Sequence, residues 1–276
     1  MPSRPGHQKR RRLLSTAIER EAMKLNRMRW MLASLMAALG VMVVAGCAQQ
    51  PVMSEKSADS ARLGTQWGEG IESRLQTVDL RRVSNAPLVQ HTLSYSEARG
   101  NGRAVREIML ANGRVGLTAL HDGHEPWSIY LDGANGHLQG KKGERYVLQY
   151  RNYSKQTLYE IVTTVDGLDV LNGKAGSIRN NGYVLRPGET LQVEGFRKSR
   201  DEVAAFRFSE LDDAYAANSK HGAAGNVGVI GTAVFELYDP NKKGKPSPTE
   251  GPSAFPGDDK SGDEPRYASP PEYRKG

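Results

Sequence analysis

The chain has 276 residues, 38% of them hydrophobic and 25% charged, with a formal net charge of +7. That charge is unevenly placed: residues 1–46 hold nine Lys/Arg against two acids, and the 29 bases of residues 47–276 meet 29 acids. A basic nucleic-acid footprint on the folded part is therefore not expected. With a single cysteine, Cys47, neither is an intramolecular disulfide or a Cys-rich zinc site.

The first patterned segment is apolar. Trp30 to Ala45 is mostly Met, Leu, Ala and Val, shorter than the ~20 residues a membrane-spanning helix needs. Lys24, Arg27 and Arg29 precede it, and small residues end it. A positive flank, a short apolar run and a small-residue exit make an export signal. The exit, Val44-Ala45-Gly46-Cys47, resembles the lipobox of bacterial lipoproteins. The resemblance implies cleavage between Gly46 and Cys47 and a diacylglycerol on the Cys47 thiol. It also implies sorting to the outer membrane, because Ala48 and not an aspartate follows the cysteine. The polar, basic residues 1–22 are not needed for export, and Met23 opens a leader of ordinary length. Arg10-Arg11-Arg12 departs from a twin-arginine signal, since Glu19 and Glu21 intervene before the apolar run.

Residues 47–61 are rich in Ser, Gln, Ala and Lys without an apolar period and read as a flexible tether. Residues 62–239 form the expected folded domain, and its dominant period is two. Tyr146 to Arg151, Tyr159 to Val165 and Ala204 to Phe208 alternate, while Val227 to Leu237 is apolar on both faces, as a central strand is. Thr77 to Ser96 and Arg114 to Leu120 are further strand candidates. Turn signals separate the runs: Asp132-Gly133, Asn135-Gly136, Asp166-Gly167, Asn172-Gly173, Asn181-Gly182 and Pro187-Gly188. One helix is predicted after Ser209, with Leu211, Ala214 and Tyr215 on one face, ending near Gly222. Residues 240–276 hold eight of the fourteen prolines and read as a disordered tail. The expected fold is mainly β: an antiparallel β-sandwich with one short helix, flanked by the tether and the tail.

A second set of strings, Tyr150 to Ser154, Thr164 to Val170, Gly182 to Leu185, Gly195 to Ser199, Val203 to Phe208 and Asn226 to Gly231, resembles a bacterial envelope domain met in uncharacterised proteins. It covers about 145–236, and Leu63 to Glu69 is similar to part of the same group. The resemblance implies one domain with a fixed strand order and no particular activity.

Candidate chemistry is sparse. His121, Asp122, His124 and Glu125 put two imidazoles and two carboxylates within five residues, donors suited to zinc or another divalent ion. The same stretch also reads as a hairpin turn, with Asp122-Gly123 at its tip. No metal or other cofactor is assigned. Ser199 and Ser209 lie near acids without a recognisable histidine partner, and no Gly-x-Ser-x-Gly elbow is present. Gly222 to Gly225 and Gly228 to Gly231 lack the Lys-Ser/Thr of a phosphate loop. Asp166 and Asp169 suit a turn better than a calcium loop. Arg197 and Arg207 are expected on strands, facing solvent or pairing with Asp201 or Glu202.

The expected protein is thus a lipid-anchored, periplasmic binding or assembly module with no catalytic residues. Its partners would be the membrane, through Cys47, and an envelope protein, with no nucleic acid. The alternatives are a metal-binding protein or metal-dependent enzyme using His121 to Glu125, and a small-ligand carrier.

Overall fold

Val229–Tyr238 is the spine of the fold and shows why an apolar run with two buried faces becomes a central strand. It bonds to neighbours on both edges and buries residues on both faces. In the computed structural model the described residues are 61–122, 124–239, 251–255 and 267–273. The export signal, Cys47 and nearly all of the expected tether lie outside them.

The strands of the first half are β1 (Gly64–Glu72), β2 (Gln76–Thr77), β3 (Arg81–Arg82), β4 (Val89–Ser96), β5 (Arg103–Val105), β6 (Ile108–Leu110), β7 (Val115–His121), β8 (Glu125–Pro126), β9 (Ile129–Asp132) and β10 (Asn135–Gln139). The second half adds β11 (Tyr146–Asn152), β12 (Leu158–Val165), β13 (Leu168–Asp169), β14 (Tyr183–Leu185), β15 (Thr190–Val193), β16 (Gly195–Arg197), β17 (Glu202–Ser209), β18 (Val229–Tyr238) and β19 (Ser253–Ala254).

They form three sheets. The largest runs β2-β19-β14-β12-β18-β4-β10-β9-β5, with β13 beside β12 and β3 beside β18. A second runs β15-β11-β7-β6 with β8 beside β7, and a third is β1-β17-β16. Pairing is antiparallel except at β10 with β4 and β19 with β2. The expected mainly β, antiparallel architecture is therefore present.

Register explains the core. Tyr159, Ile161, Thr163 and Val165 face inward from β12, as their alternation requires, and β18 brings Ile230, Thr232 and Val234 to the same face. Opposite them, β11 carries Tyr146, Leu148 and Tyr150 inward beside Ala119 and Leu117 of β7. The two inner faces meet directly: the Tyr150 hydroxyl lies 2.8 Å from Thr232 Oγ1 and accepts a bond from Thr163 Oγ1 at 3.1 Å. The third sheet supplies aromatic rings to one side of this core. Tyr146 stacks on Phe208 at 4.4 Å and on Phe206 at 5.2 Å, and Phe196 meets Phe206 edge-on. Such pairs add roughly 0.5–1.5 kcal/mol each beyond their burial.

Three stretches depart from the sequence expectation. The helix after Ser209 shrinks to a single 3-10 turn, Tyr215–Asn218, with no side-chain cap. Asn218 Nδ2 bonds the carbonyl of Ala214 at 2.9 Å, the acceptor an α-helix would offer to the Asn218 backbone N–H. Ser209 turns its hydroxyl to the carbonyl of Glu210 instead of capping. Asn135-Gly136 and Asn181-Gly182 are not tight turns: the first pair starts β10, where Gly136 sits beside Leu93 and Leu131, and Gly182 leads directly into β14. The Asp132-Gly133, Asp166-Gly167, Asn172-Gly173 and Pro187-Gly188 sites do hold glycines at positive φ.

The third departure is in residues 240–276. Most lie outside the described residues, but two stretches are built into the domain. Ser253 and Ala254 form β19, both fully buried. Further on, Ala268 packs against Gly173, where a Cβ would come within 2.8 Å of the Ala268 Cβ. Ala268 N–H donates to the Arg197 carbonyl, and the Tyr215 hydroxyl donates to the Ser269 carbonyl at 2.6 Å. A few small residues and main-chain bonds are enough to dock segments whose overall composition favours solvent.

Candidate functional site

The His121 to Glu125 segment is a hairpin tip, as its turn reading required. His121 pairs with Glu125 across β7 and β8, and the His124 N–H donates to the His121 carbonyl at 2.9 Å. Asp122 takes a φ of 46°, the left-handed region that such tips use. The four candidate ligands do not converge. His121 Nε2 lies 2.8 Å from Glu144 Oε2, and its ring packs 5.0 Å from Trp127. Asp122 accepts from Arg145 Nη1 at 3.0 Å. His124 and Glu125 are exposed on the tip. Among the described residues, no group of three or more His, Cys, Asp or Glu is placed to hold a metal.

These side chains instead form a charged strip along the surface. Arg145 also donates to Glu194, and Arg207 reaches Glu69 with both carboxylate oxygens at 2.8 Å. The His121 hydrogen bond, helped by Lys141, holds the Glu144 carboxyl below its usual range. Partial burial pushes Glu69 up, but the Arg207 bond, a backbone bond and the charges of Arg207 and Arg145 together outweigh it, and the net shift is downward. Exposed pairs of this kind are worth ~0–1 kcal/mol each. The strip ties the ends of β7 and β11 to β17 and β1 along one surface.

The strongest polar structure is buried. Asp166 sits at the tip of the β12–β13 hairpin with φ 53° and its carboxylate inside the core. Oδ1 accepts from the Tyr95 hydroxyl at 2.5 Å and from Gly228 N–H at 2.8 Å; Oδ2 accepts from Thr65 N–H at 2.8 Å. Thr65 Oγ1 is in turn 2.8 Å from the Tyr95 hydroxyl and 2.7 Å from that of Tyr146. Burial pushes Asp166 up to about 6 against the pull of these donors. Burial, with the Asp166 charge behind it, raises the Tyr95 hydroxyl well above the phenol range. Asp169 is similar: it accepts from Leu171 N–H, Asn172 N–H and Asn180 Nδ2, and burial pushes it up to about 6.

Two buried charges complete the set. Arg197 corrects the solvent-facing expectation: it is 1% exposed and bonds the Tyr183 hydroxyl, the Ser73 carbonyl at 2.7 Å and Ser73 Oγ at 3.1 Å. The carbonyls of Ser73, Ser199 and Arg200 line the guanidinium's socket, and among the described residues no acid pairs with it. Arg207 pairs with Glu69 instead of Asp201 or Glu202. Glu160, also 1% exposed, is gripped by both Nε and Nη2 of Arg82 at 2.6 and 3.0 Å, and accepts from Gly182 N–H. The sequence reading had no signal for these groups, because their partners are brought in from remote strands.

Open grooves mark the surface of the described residues, three of them well formed. One, about 320 Å³, crosses the outer face of β4, β18 and β12 and is edged by Gln90, Thr92, Thr164, Ser177, Ile178 and Asn226. A second, about 490 Å³, lies between Lys174, Lys220, His221 and the docked residues Ser269 to Glu272, and a third, about 840 Å³, adjoins it along Asp212, Asp213, Ala217 and Tyr273.

Fold and site together define a mainly β domain with buried polar ties and open surface grooves. The chain matches no protein-family model, and comparisons with curated proteins and with solved structures give no match.

Proposed function

We propose that this chain is a bacterial outer-membrane lipoprotein whose β-domain faces the periplasm and acts as a binding or assembly module. The observation that carries the reading is Val44-Ala45-Gly46-Cys47 at the end of a short apolar run with a positive flank. One acyl chain gives only marginal membrane attachment, so the lipobox resemblance matters because it implies at least the two chains of a diacylglycerol. The domain supports a binding role through its form. Open sheets present edge strands that accept partners by main-chain pairing, and here β5, β6 and β15 end their sheets. The envelope-domain resemblance about 145–236 belongs to the same reading.

Two measurements test it. Mass spectrometry of the protein from native membranes should find an N-terminus at Cys47 carrying a diacylglyceryl thioether, and Cys47→Ser should move the protein to the soluble fraction. Cross-linked pull-down should then enrich an envelope protein with the anchored form over the Cys47→Ser form. An unmodified Cys47 sinks the anchor; no enriched partner removes the assembly role.

A further inference from the structure

The largest sheet is completed by a segment that arrives from far along the chain. Ser253 and Ala254 lie between β14 and β2, antiparallel to the first and parallel to the second. The registers are Tyr183 with Ala254 and Val184 with Ser253 on one side, and Gln76 with Ser253 on the other. Gln76 N–H donates to the Pro252 carbonyl at 2.9 Å and Val78 N–H to the Ala254 carbonyl at 3.1 Å. Without this insert β14 would present an open edge toward β2.

The slot reads side chains as well as backbone. Ala254 is fully buried in the main core. Ser253 is buried, 3.3 Å from Arg186 Nη1. Phe255 packs on Leu158, Val184 and Leu237, an apolar cluster on the outer face of the sheet. At the entrance Gly251 has φ 88°, and a Cβ there would stand 2.4 Å from the Arg74 carbonyl oxygen. The complement of the slot is therefore Gly251-Pro252-Ser253-Ala254-Phe255.

We propose that this slot is a strand-exchange site, able to take residues 251–255 from a second copy of the chain. Every copy carries both the slot and the segment that fits it. Exchanging identical segments preserves each contact, so the balance turns on concentration and not on new bonds. The inference rests on the assembly reading, since copies anchored to one membrane see each other at raised effective concentration.

The test uses the full-length chain, expressed in cells in a Cys47→Ser background and again in the native background. One tagged copy carries Val184→Cys and a differently tagged copy carries Ser253→Cys. These positions are directly opposed across the strand pair, within reach of a disulfide after small adjustment. The double variant on one chain should form an internal disulfide, which establishes the slot geometry. The co-expressed single variants should form a covalent dimer carrying both tags, absent when either is expressed alone. An internal disulfide without any mixed dimer overturns the proposal. So does the lack of both, which would leave the slot unfilled by this segment. A mixed dimer in the native background but none with Cys47→Ser supports exchange and ties it to the anchor. Dimers of the native parent, without added cysteines, would instead reveal a free Cys47 thiol and sink the lipid anchor alone.

Discussion

A buried carboxylate with three donors is an anchor point for strands. Asp166 bonds to β1 through Thr65, to β4 through Tyr95 and to the start of β18 through Gly228. Asp166→Ala strands the Thr65 and Gly228 N–H donors and leaves the Tyr95 hydroxyl only Thr65 Oγ1 as a partner, each unmet group being worth about 1–3 kcal/mol. The expected loss is about 3 kcal/mol or more at neutral pH, read from urea unfolding; a loss under about 1 kcal/mol would show that the three strands hold without it. The pH dependence has a definite sign. Asp166 and Asp169 are both raised to about 6 from an ordinary 3.8. Between about pH 4 and pH 6 the folded chain holds these protons and the unfolded chain does not, so stability falls as pH rises through that window. Two pKa units correspond to about 3 kcal/mol per group as an upper bound. Glu69 and Glu144 act oppositely only as pH falls below their ordinary 4.5, while His91, lowered from 6.5 by burial, offsets part of the gain within the window. The unfolding midpoint should therefore be higher at pH 5 than at pH 7, with Asp166→Asn and Asp169→Asn each removing part of the rise. A midpoint lower at pH 5 would contradict the burial of these acids.

Among elements, β3 depends most on a single side chain. It is two residues long and is held to β12 by the Arg82–Glu160 fork, with Arg82 also 3.7 Å over the Phe235 ring. Breaking a buried pair by removing one partner costs about 3–5 kcal/mol, because the remaining charge is left unpaired. Arg82→Ala should show a loss of that order in thermal or urea melts, and Arg82→Lys an intermediate one, since an ammonium cannot repeat the two-point grip. Equal stability of Arg82→Lys and the parent would show that the fork geometry is unimportant. The same element shows what the sequence reveals and what it hides. Alternation in β11, β12 and β17 was legible because period two reports which residues share a face, although β12 is buried on both. Arg82, Glu160, Asp166 and Arg197 were not, because their burial depends on partners such as Ser73, 124 residues from Arg197. The 3-10 turn at Tyr215 escaped for a related reason: Asn218 competes for the helical acceptor, and Tyr215 is fixed by Trp67 and Phe196 at 4.9 and 4.6 Å. The His121 cluster was legible as donors on a turn, but not the separate attachments of His121 to Glu144 and Asp122 to Arg145.

At the scale of the whole molecule, the sheet order places the closing strand after the spine. The central strands are complete by Tyr238, yet β14 gains its outer neighbour only when residues 251–255 enter, and Gly173, beside the Tyr215 hydroxyl, gains the rest of its cover from Ala268. A chain ending at Asp239 should therefore fold to the same sheets but with an open β14 edge and an uncovered Leu158, Val184 and Leu237 surface. Phe255 is partly buried, so losing its side chain removes less than the roughly 1.5–3 kcal/mol of a fully buried one, and the truncated form, which also loses the β19 pairing, should unfold at lower urea than the full chain. Phe255→Ala should recover part of that difference without the open edge. Hydrogen exchange separates the two effects: the Gln76 and Val78 amides, which donate into β19, should lose protection on truncation and keep most of it in Phe255→Ala. If truncation leaves both midpoint and protection unchanged, β19 is dispensable to the sheet. If protection is lost while the midpoint holds, the slot opens locally without loosening the core, which is the behaviour a site for strand exchange requires.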